Sequence, residues 1–333
     1  MQHRAAQNTA NDLTEQRTAT MMPSRLDDII SQSKQHPPVI TAIVHPVEPN
    51  GLSGALDAAE QGIITPILVG PAARIQAQAE QLKRPVDHYR IIDTPHSHAA
   101  AEKAVELAKT GDVQALMKGD LATAELLSAI LNKASGLRTE RRLSHVFLLD
   151  IPRYHKPLVI TDAAINVTPD LMAKADILQN AIDFCRALGI SSPKAAVLAA
   201  VEKVKPAMPS TLDAAALCKM ADRQQIQNAI IDGPLAFDNA ISLQAARDKH
   251  IQSPVSGDAD ILLAPDQEAA NMLAKQLIYL ADARSAGLLL GASVPVILNS
   301  RADGSEARLT SCALASLIVQ HSQQSLREIL TNS

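Results

Sequence analysis

The chain of 333 residues has few aromatic side chains and no excess of basic ones. It contains three Phe, three Tyr and no Trp, although proteins that bind single-stranded nucleic acid usually stack bases on aromatic rings. Its 31 basic and 35 acidic residues give a net charge of −4, so the basic surface typical of nucleic-acid binding is also lacking. We therefore predict no nucleic-acid partner, whereas a small anionic ligand is compatible with the composition.

Cysteine occurs only three times, at Cys185, Cys218 and Cys312. The odd number, the wide spacing and the lack of a Cys-x-x-Cys pair argue against a disulfide framework and against a cysteine-based zinc site. Residues 1–24 lack the apolar core of a secretory signal, and we expect them to form a flexible tail. Together these features predict a cytoplasmic protein.

Long hydrophobic runs are also missing. The longest nearly uncharged stretch, Ala286–Ser300, contains two glycines and a proline. It is shorter than the ~20 apolar residues that a membrane-spanning helix needs. We therefore predict that no segment crosses a membrane.

Several common catalytic motifs are absent from the sequence. It contains no G-x-x-x-x-G-K-[ST], G-x-G-x-x-G, G-x-S-x-G or H-E-x-x-H, the signatures of P-loop, dinucleotide, serine-hydrolase and zinc-protease sites. His96 and His98 precede a predicted helix and have no third ligand nearby. They indicate a solvated helix N-terminus more than a metal site, and we expect no metal ion to be bound.

A regular alternation of strand and helix patterns begins at Val39. Short β-branched runs alternate with longer amphipathic stretches that open at Asp, Ser, Thr or Pro, which predicts an open α/β fold with parallel sheets covered on both faces. The alternation breaks at 151–156, where two strands follow each other without a helix, and we place a crossing between domains there. The predicted strands are Val39–Val44, Ile64–Val69, His88–Ile92, Ala115–Lys118, His145–Leu149, Leu158–Thr161, Ala195–Leu198, Ala229–Ile231, Ile261–Leu263 and Val294–Leu298. The predicted helices include Leu52–Gln61, Ala99–Lys109, Thr123–Lys133, Pro169–Leu188, Thr211–Arg223, Ala240–Lys249, Gln267–Arg284 and Arg308–His321.

The strongest chemical signal is the segment Pro295–Arg308, PVILNSRADGSEAR. An apolar strand ends at Asn299, a polar loop follows, and a helix begins a few residues later. Ligands of open α/β sheets bind beyond the carboxyl ends of strands, and a helix N-terminus favours anions. Arg301 is thus placed to hold an oxyanion in a bidentate contact. The alternative is a surface turn in which Arg301 pairs with Asp303 or Glu306.

Longer blocks of the sequence resemble the phosphate acetyl/butyryltransferase family. They occur in the family's order and span about Leu116 to Ser311, with a weaker match before Leu116 and none before about Arg25. The blocks are LMKGDLATAELLSAILNKASGLRTERRLSHV (Leu116–Val146), TDAAINVTPDL (Thr161–Leu171), AAVEKVKPAMPSTLDAAALCKMADRQQI (Ala199–Ile226), DGPLAFDNA (Asp232–Ala240), SPVSGDADILLAPD (Ser253–Asp266) and NSRAD (Asn299–Asp303).

This resemblance implies a two-domain fold related to the isocitrate and isopropylmalate dehydrogenases. The active site would lie in the cleft between the domains, and the protein would be a homodimer. Residues 25–144 together with 300–333 would form the first domain, and residues 145–299 the second. The family interconverts short-chain acyl-CoA and phosphate with acyl phosphate and CoA, without a metal ion, so we expect these two substrates and no cofactor.

The chemistry of this reaction requires hydrogen-bond donors at two places. When a thiol attacks an acyl phosphate, charge develops on the carbonyl oxygen and phosphate departs as an anion. By resemblance, Arg301 binds the phosphoryl or carbonyl oxygen and Ser300 donates a hydrogen bond beside it. The further substrate-binding candidates are Lys118, Arg138, Arg141, Arg142, Thr161, Asp162, Asn166 and Asn299. For each of the lysine and arginine side chains the alternative is a solvated charge without a role in binding. For Asp162 the alternative is a capping or orienting role.

The sequence departs from the acetyl branch of the family at the position of the base. That branch carries Ser-Arg-Gly and a carboxylate six residues after the arginine, whereas Ala302 follows Arg301 here and Ala307 occupies the sixth position. The Ser-Arg-Ala-Asp pattern resembles the butyryl branch instead, which predicts activity on acyl groups longer than acetyl. We expect Asp303 to be the base. Glu306 is expected to be a helix-start residue, because a carboxylate in the first turn favours the helix dipole.

Two other functions fit the sequence less well. A metal-dependent 2-hydroxy-acid dehydrogenase of the same fold needs an aspartate cluster and an adenine-ribose loop, and neither pattern is found. A catalytically silent protein that binds CoA or acyl phosphate is the non-enzyme alternative, against which the retention of Ser300, Arg301 and Asp303 argues. An assay of CoA-dependent phosphate release separates the enzyme from the silent protein.

Overall fold

A computed structural model describes residues 25–133, 137–300 and 303–331 of the chain. Within these ranges the chain forms eleven strands and eleven helices around one continuous sheet. The strands are β1 (Val39–Val44), β2 (Ile64–Gly70), β3 (Arg90–Asp93), β4 (Ala115–Lys118), β5 (Ser144–Asp150), β6 (Leu158–Thr161), β7 (Lys194–Leu198), β8 (Ile230–Leu235), β9 (Ile261–Leu263), β10 (Arg284–Leu290) and β11 (Val296–Ile297). The helices are α1 (Arg25–Ser33), α2 (Pro49–Glu60), α3 (Ala72–Leu82), α4 (Ser97–Thr110), α5 (Thr123–Leu131), α6 (Leu171–Ala187), α7 (Pro209–Asp222), α8 (Phe237–Ile241), α9 (Leu243–Asp248), α10 (Gln267–Leu280) and α11 (Ser305–Thr331).

The sheet is mixed, with the strand order β3-β2-β1-β4-β11-β10-β5-β6-β9-β7-β8. The α/β class is confirmed, but the prediction of purely parallel sheets is wrong, because β10 and β5 run antiparallel to both of their neighbours. The loops at 151–157 and 291–295 explain the difference: a connection this short joins antiparallel neighbours, whereas a parallel crossover needs a dozen or more residues. Strand direction is therefore set by loop length at the two places where the helix is missing.

The predicted domain limit at 144/145 falls within strand β5, and the limit at 299/300 follows the end of β11. Strand β11, assigned by prediction to the second domain, pairs in parallel with β4 of the first. Strand β5 then pairs with β10 over all seven of its residues. The two predicted halves therefore share a hydrogen-bonded sheet in the described structure.

The inner strands of the sheet are largely buried on both faces, which is typical of a sheet covered by helices, and the outermost strands β3 and β8 are partly exposed. In β1, for example, Ala42, Ile43 and Val44 are fully buried. Helix α11 spans 27 residues, or about 40 Å, and packs on α1, α2, α6 and β10. It thus fixes the loop at its N-terminus against elements from both ends of the chain. Among the helices of the described ranges, none combines the length and hydrophobicity needed to cross a bilayer.

One strand of the sheet was not predicted. The sequence pattern predicts a helix over Gln267–Arg284, but α10 ends at Leu280 and β10 begins at Arg284. Gly287 in the middle of β10 weakens the strand signal. Glycine leaves room for a neighbouring side chain there, because a Cβ at this position would lie 3.0 Å from the His145 Nε2 atom.

Candidate active site

The carboxyl ends of three neighbouring strands meet at one edge of the sheet. Val44 at the end of β1 pairs with Lys118 at the end of β4, and Met117 of β4 pairs with Ile297 of β11. The loops that follow these strands, with the first turn of α2, surround a small cleft of about 70 Å³, called here the Ser300 cleft. The Ser300 cleft is lined by Glu48, Pro49, Asn50, Gly51, Lys118, Gly119, Asp120, Asn299, Ser300 and Arg308.

Ser300 is held in place from two sides. Its N–H donates to Asp303 Oδ2 at 2.7 Å, and its carbonyl oxygen accepts from Arg308 Nη2 at 3.0 Å. Arg308 is only 5% exposed, and its side chain fills the space beside Gly54, where a Cβ would lie 2.6 Å from the Arg308 Cδ atom. The N-terminal parts of α11 and α2 therefore pack together to position the loop that carries Ser300.

Asn299 anchors the start of the same loop. Its Nδ2 donates to Ser311 Oγ at 3.1 Å, and this oxygen also accepts from the Gly287 N–H of β10 at 3.0 Å. The Asn299 Oδ1 atom is buried and has no hydrogen-bond partner among the described residues, so an acceptor remains at the wall of the cleft. Arg301, the predicted oxyanion-binding residue, lies outside the described residues.

The two carboxylates that the sequence offered as base have different surroundings. Asp303 is half-buried, and its Oδ2 accepts the Ser300 N–H. Glu306 lies exposed in the first turn of α11, as predicted for a helix-start residue. It forms an ion pair with Arg284, which also pairs with Asp27 of α1 at 2.8 Å.

Asp120 faces the Ser300 cleft from the loop after β4, and the sequence reasoning did not single it out. Its Oδ2 accepts from the Glu48 N–H at 2.7 Å. Burial raises the pKa of Asp120, and the nearby Glu48 carboxylate raises it further, whereas the Glu48 N–H and the Lys118 ammonium lower it. A carboxylate two residues after the predicted strand end at Lys118 was the signal that could have found this residue.

A second set of predicted residues forms a turn after β6. Asp162 is buried, and its carboxylate accepts the N–H of His145 at 3.0 Å and three further N–H groups of the turn 164–166. Thr161 is also buried and donates from Oγ1 to the His145 carbonyl oxygen at 2.9 Å. Asn166 belongs to the same turn. Thr161 and Asp162 therefore orient the chain around His145, which corresponds to the capping alternative for Asp162.

The His145 side chain connects this turn to the loop that carries Ser300. It is 2% exposed, and its Nε2 lies 3.3 Å from the carbonyl oxygen of Leu298. Its Nδ1 has no hydrogen-bond partner in the part of the chain that the structure describes. Burial lowers the pKa of His145, while the Asp162 carboxylate, the Leu298 carbonyl and the Asp303 carboxylate raise it and Lys275 lowers it. Sequence reasoning missed His145 because its place in an apolar strand pattern indicates a core residue.

Besides Arg301, four cations were predicted to bind substrate, and three of these four lie away from the Ser300 cleft. They precede β5, whose first residue pairs with Leu290 at the carboxyl end of β10. Because β10 runs antiparallel to β11, this end of β10 is at the opposite edge of the sheet from Ser300. Arg141 pairs there with Asp183 of α6 and lines a separate cleft of about 550 Å³. The three cations are Arg138, Arg141 and Arg142, and the fourth, Lys118, lines the Ser300 cleft.

No group of three or more His, Cys, Asp or Glu side chains placed to hold a metal ion occurs in 25–133, 137–300 or 303–331. His96, a candidate ligand in the sequence, caps α4 instead: its Nδ1 accepts the Ala99 N–H at 3.1 Å. That the activity does not depend on a metal ion stays a prediction, which activity measurements can test.

Comparison with known proteins shows that this chain is similar to phosphate acyltransferases. The profile of the phosphate acetyl/butaryl transferase family matches residues 97–316. The phosphate acetyltransferase of Rhizobium meliloti is 53% identical over 295 residues, covering 89% of this chain and 93% of that protein. The phosphate butyryltransferase of Clostridium acetobutylicum is 43% identical over 267 residues, covering 80% of this chain and 89% of that protein. The crystal structure of a branched-chain phosphotransacylase from Enterococcus faecalis V583 matches with a TM-score of 0.75 and 30% identity, covering 85% of this chain and 99% of that one.

Proposed function

Because this chain belongs to the phosphate acetyl/butyryltransferase family, we propose that it interconverts short-chain acyl-CoA and phosphate with acyl phosphate and CoA at the Ser300 cleft. The observation that carries the location is the loop at the end of β11, where Asp303 and Arg308 fix Ser300 beside Lys118. In the acyl-CoA-forming direction the thiol sulfur attacks the carbonyl carbon and the bond from this carbon to the phosphate oxygen breaks.

The groups around the cleft suit the two charges that this reaction develops. Ser300 is a hydrogen-bond donor for the carbonyl oxygen, and Arg301, carried over from the family motif, adds a positive charge there. Lys118 is a cation for the phosphoryl group. Helix α2 begins at Pro49 without a side-chain cap from Glu48, so its first-turn N–H groups also favour an anion.

The range of acyl groups that react is proposed from two arguments. One is the sequence identity to the relatives, and the other is the free energy of burying a methylene group. Identity is higher to a phosphate acetyltransferase, at 53%, than to a phosphate butyryltransferase, at 43%, although the NSRAD loop resembles the butyryl branch. Each buried methylene contributes at most ~0.8 kcal/mol to binding of the acyl group. Two methylenes therefore change the ratio of kcat/KM between acetyl-CoA and butyryl-CoA by at most about 15-fold. We therefore propose that acetyl-CoA is a substrate and that propionyl-CoA and butyryl-CoA also react.

The finer fold assignment, the domain division and the homodimer are proposed on the same basis. The strands β3-β2-β1-β4-β11 and β6-β9-β7-β8 form two parallel groups, joined through the antiparallel strands β10 and β5. This arrangement supports a two-domain fold of the isocitrate and isopropylmalate dehydrogenase type. Light scattering coupled to size-exclusion chromatography measures the proposed dimer, and the cytoplasmic location stays a prediction from composition.

The test of the reaction is a panel of acyl-CoA thioesters from acetyl to hexanoyl, incubated with phosphate and with protein dialysed against EDTA. We expect phosphate-dependent release of free thiol from acetyl-, propionyl- and butyryl-CoA without added metal. No thiol release from any thioester would refute the proposed function. A strict requirement for acetyl-CoA would refute the acyl range, and activity restored only by Mg²⁺ or Mn²⁺ would refute metal independence.

A further inference from the structure

The proposed reaction needs a group that takes the proton of the attacking thiol, because a thiol attacks as its thiolate. Asp303 accepts the Ser300 N–H and is not among the described residues that line the Ser300 cleft, and Glu306 pairs with Arg284 on the exposed surface. The carboxylates that line the Ser300 cleft are those of Glu48 and Asp120. Of these two, Glu48 is exposed and Asp120 is half-buried.

We propose that Asp120 is the general base of this acyl transfer, taking the thiol proton when acyl-CoA forms and returning it to the leaving thiolate in the reverse direction. The inference rests on the proposed function. Asp303 is then a positioning residue, which fixes Ser300 through its N–H.

The backbone around Asp120 is fixed on both sides. Its N–H donates to the His45 carbonyl oxygen at 2.9 Å, and its own carbonyl oxygen accepts from His45 Nδ1 at 2.8 Å. The preceding Gly119 lies so close to β1 that a Cβ would be 2.5 Å from the Val44 carbonyl oxygen. Together with the bond from the Glu48 N–H to Oδ2, these contacts direct the carboxylate to the cleft that Ser300 lines.

The charged and titratable groups around Asp120 come from each element that packs there. His45 and Glu48 precede α2, Lys118 ends β4, and Arg308 of α11 lines the same cleft. Burial and the Glu48 carboxylate raise the pKa of Asp120, and the Lys118 ammonium opposes them. A free Asp at about 3.9 is a poor acceptor for a thiol proton at about 8.5, and a raised pKa narrows this gap.

The proton balance closes without a further reactant. The thiol gives its proton to the Asp120 carboxylate, the sulfur–carbon bond forms, and the bond between the carbonyl carbon and the phosphate oxygen breaks. The departing phosphate then receives the proton, so the products are the thioester and hydrogen phosphate. In the reverse direction hydrogen phosphate loses a proton to Asp120 as it attacks the thioester, and the protonated carboxyl protonates the thiolate that leaves.

The first test compares Asp120→Asn with the wild type in the acyl-CoA-forming direction from pH 6.5 to pH 9. The Asn side chain keeps an oxygen that accepts the Glu48 N–H, so the fold should be retained. General-base catalysis typically contributes about 10²-fold or more, and we expect a loss of that size in kcat at pH 7 with KM for acetyl phosphate nearly unchanged. The loss should shrink as the pH approaches the thiol pKa of about 8.5, because the thiolate then forms without a base. Asp87→Asn, at an exposed position, is the matched control.

The second test uses Glu48→Gln, which changes an exposed side chain and so stays informative if Asp120→Asn fails to fold. Removing the Glu48 charge lowers the pKa of Asp120. The acidic limb of the kcat/KM profile should therefore shift to lower pH, and an unmoved limb would overturn the assignment.

The outcomes separate the base from the function. Asp120→Asn with wild-type kcat, or with a loss that stays constant over this pH range, would overturn Asp120 as base while leaving the proposed reaction intact. A pH-dependent loss in Asp303→Asn and none in Asp120→Asn would transfer the role to Asp303. A wild-type protein that forms no thioester from acetyl, propionyl or butyryl phosphate would overturn both.

Discussion

His145 is a buried titratable side chain whose charged form the fold disfavours. Burial lowers its pKa, and the carboxylates of Asp162 and Asp303 only partly oppose this effect. The unfolded chain, with a histidine pKa of about 6.5, therefore binds a proton that the folded chain does not. The contribution of neutral, buried His145 to the free energy of unfolding is therefore fully present above a pH of about 6.5. It is lost as the pH falls below this value, because the unfolded chain then gains a proton that the folded chain does not bind.

His145→Gln is predicted to remove this dependence, because glutamine does not titrate. Between pH 7.5 and 5.5 the free energy of unfolding of the wild type should fall more steeply than that of the variant, by at most ~1.4 kcal/mol per pH unit. Urea denaturation at both pH values measures the two slopes. His36→Gln, at an exposed position, is the matched control. Equal slopes for the wild type and His145→Gln would show that His145 does not titrate differently in the folded state.

At the scale of elements, the contact between α2 and α11 fixes the loop that carries Ser300. Gly54 of α2 leaves room for the aliphatic part of Arg308, and the guanidinium of Arg308 reaches the Ser300 carbonyl oxygen. A methyl group at Gly54 would lie 2.6 Å from the Arg308 Cδ atom, so the buried arginine would have to move. The packing of two helices thus determines the position of the loop that carries Ser300.

Gly54→Ala is therefore predicted to lower kcat by roughly tenfold and to destabilise the fold by about 1–3 kcal/mol, the usual cost of overpacking. Gly304→Ala is the matched control, since a Cβ at Gly304 meets nothing within 4 Å, and its kcat should stay close to that of the wild type. Steady-state kinetics and thermal unfolding measure both effects. Normal kcat in Gly54→Ala would mean that the arginine contact does not position Ser300.

Elements with a strong local signal were predicted to the residue, and those fixed by distant contacts were not. Strands β1, β4, β6 and β9 begin and end at the predicted residues, because each is an apolar, mostly β-branched or aliphatic run with polar or turn residues beside it. Strand β10 was missed because Gly287, which lies beside the His145 ring, interrupts the strand pattern. The direction of β5 and β10 is not encoded in their own sequences, since it depends on the short loops that join them to β6 and β11.

For the whole molecule, strand direction decides which of the predicted site residues meet. Lys118, Asn299 and Ser300 each follow or end a strand whose carboxyl end lies at the same edge, and the structure brings them together. Sequence reasoning found them because ligands of α/β sheets bind at such edges. Arg141 and its neighbours precede a strand at the opposite edge, which no local pattern reveals. Arg308 and His145 were missed because Gly54, which leaves room for Arg308, and Leu298, which lies beside the His145 ring, are far away along the chain.

The proposal that acyl transfer takes place at the Ser300 cleft is tested most directly by comparing two arginine variants in the phosphorolysis of acetyl-CoA. Arg301→Ala is predicted to lower kcat/KM by more than about tenfold with an unchanged melting temperature, because a charged donor for a developing oxyanion acts mainly in the transition state. Arg141→Ala, which removes the ion pair with Asp183 at the opposite edge, is predicted to stay within about threefold of the wild type, since surface ion pairs contribute little. A larger loss in Arg141→Ala than in Arg301→Ala would contradict the placement of the reaction at the Ser300 cleft.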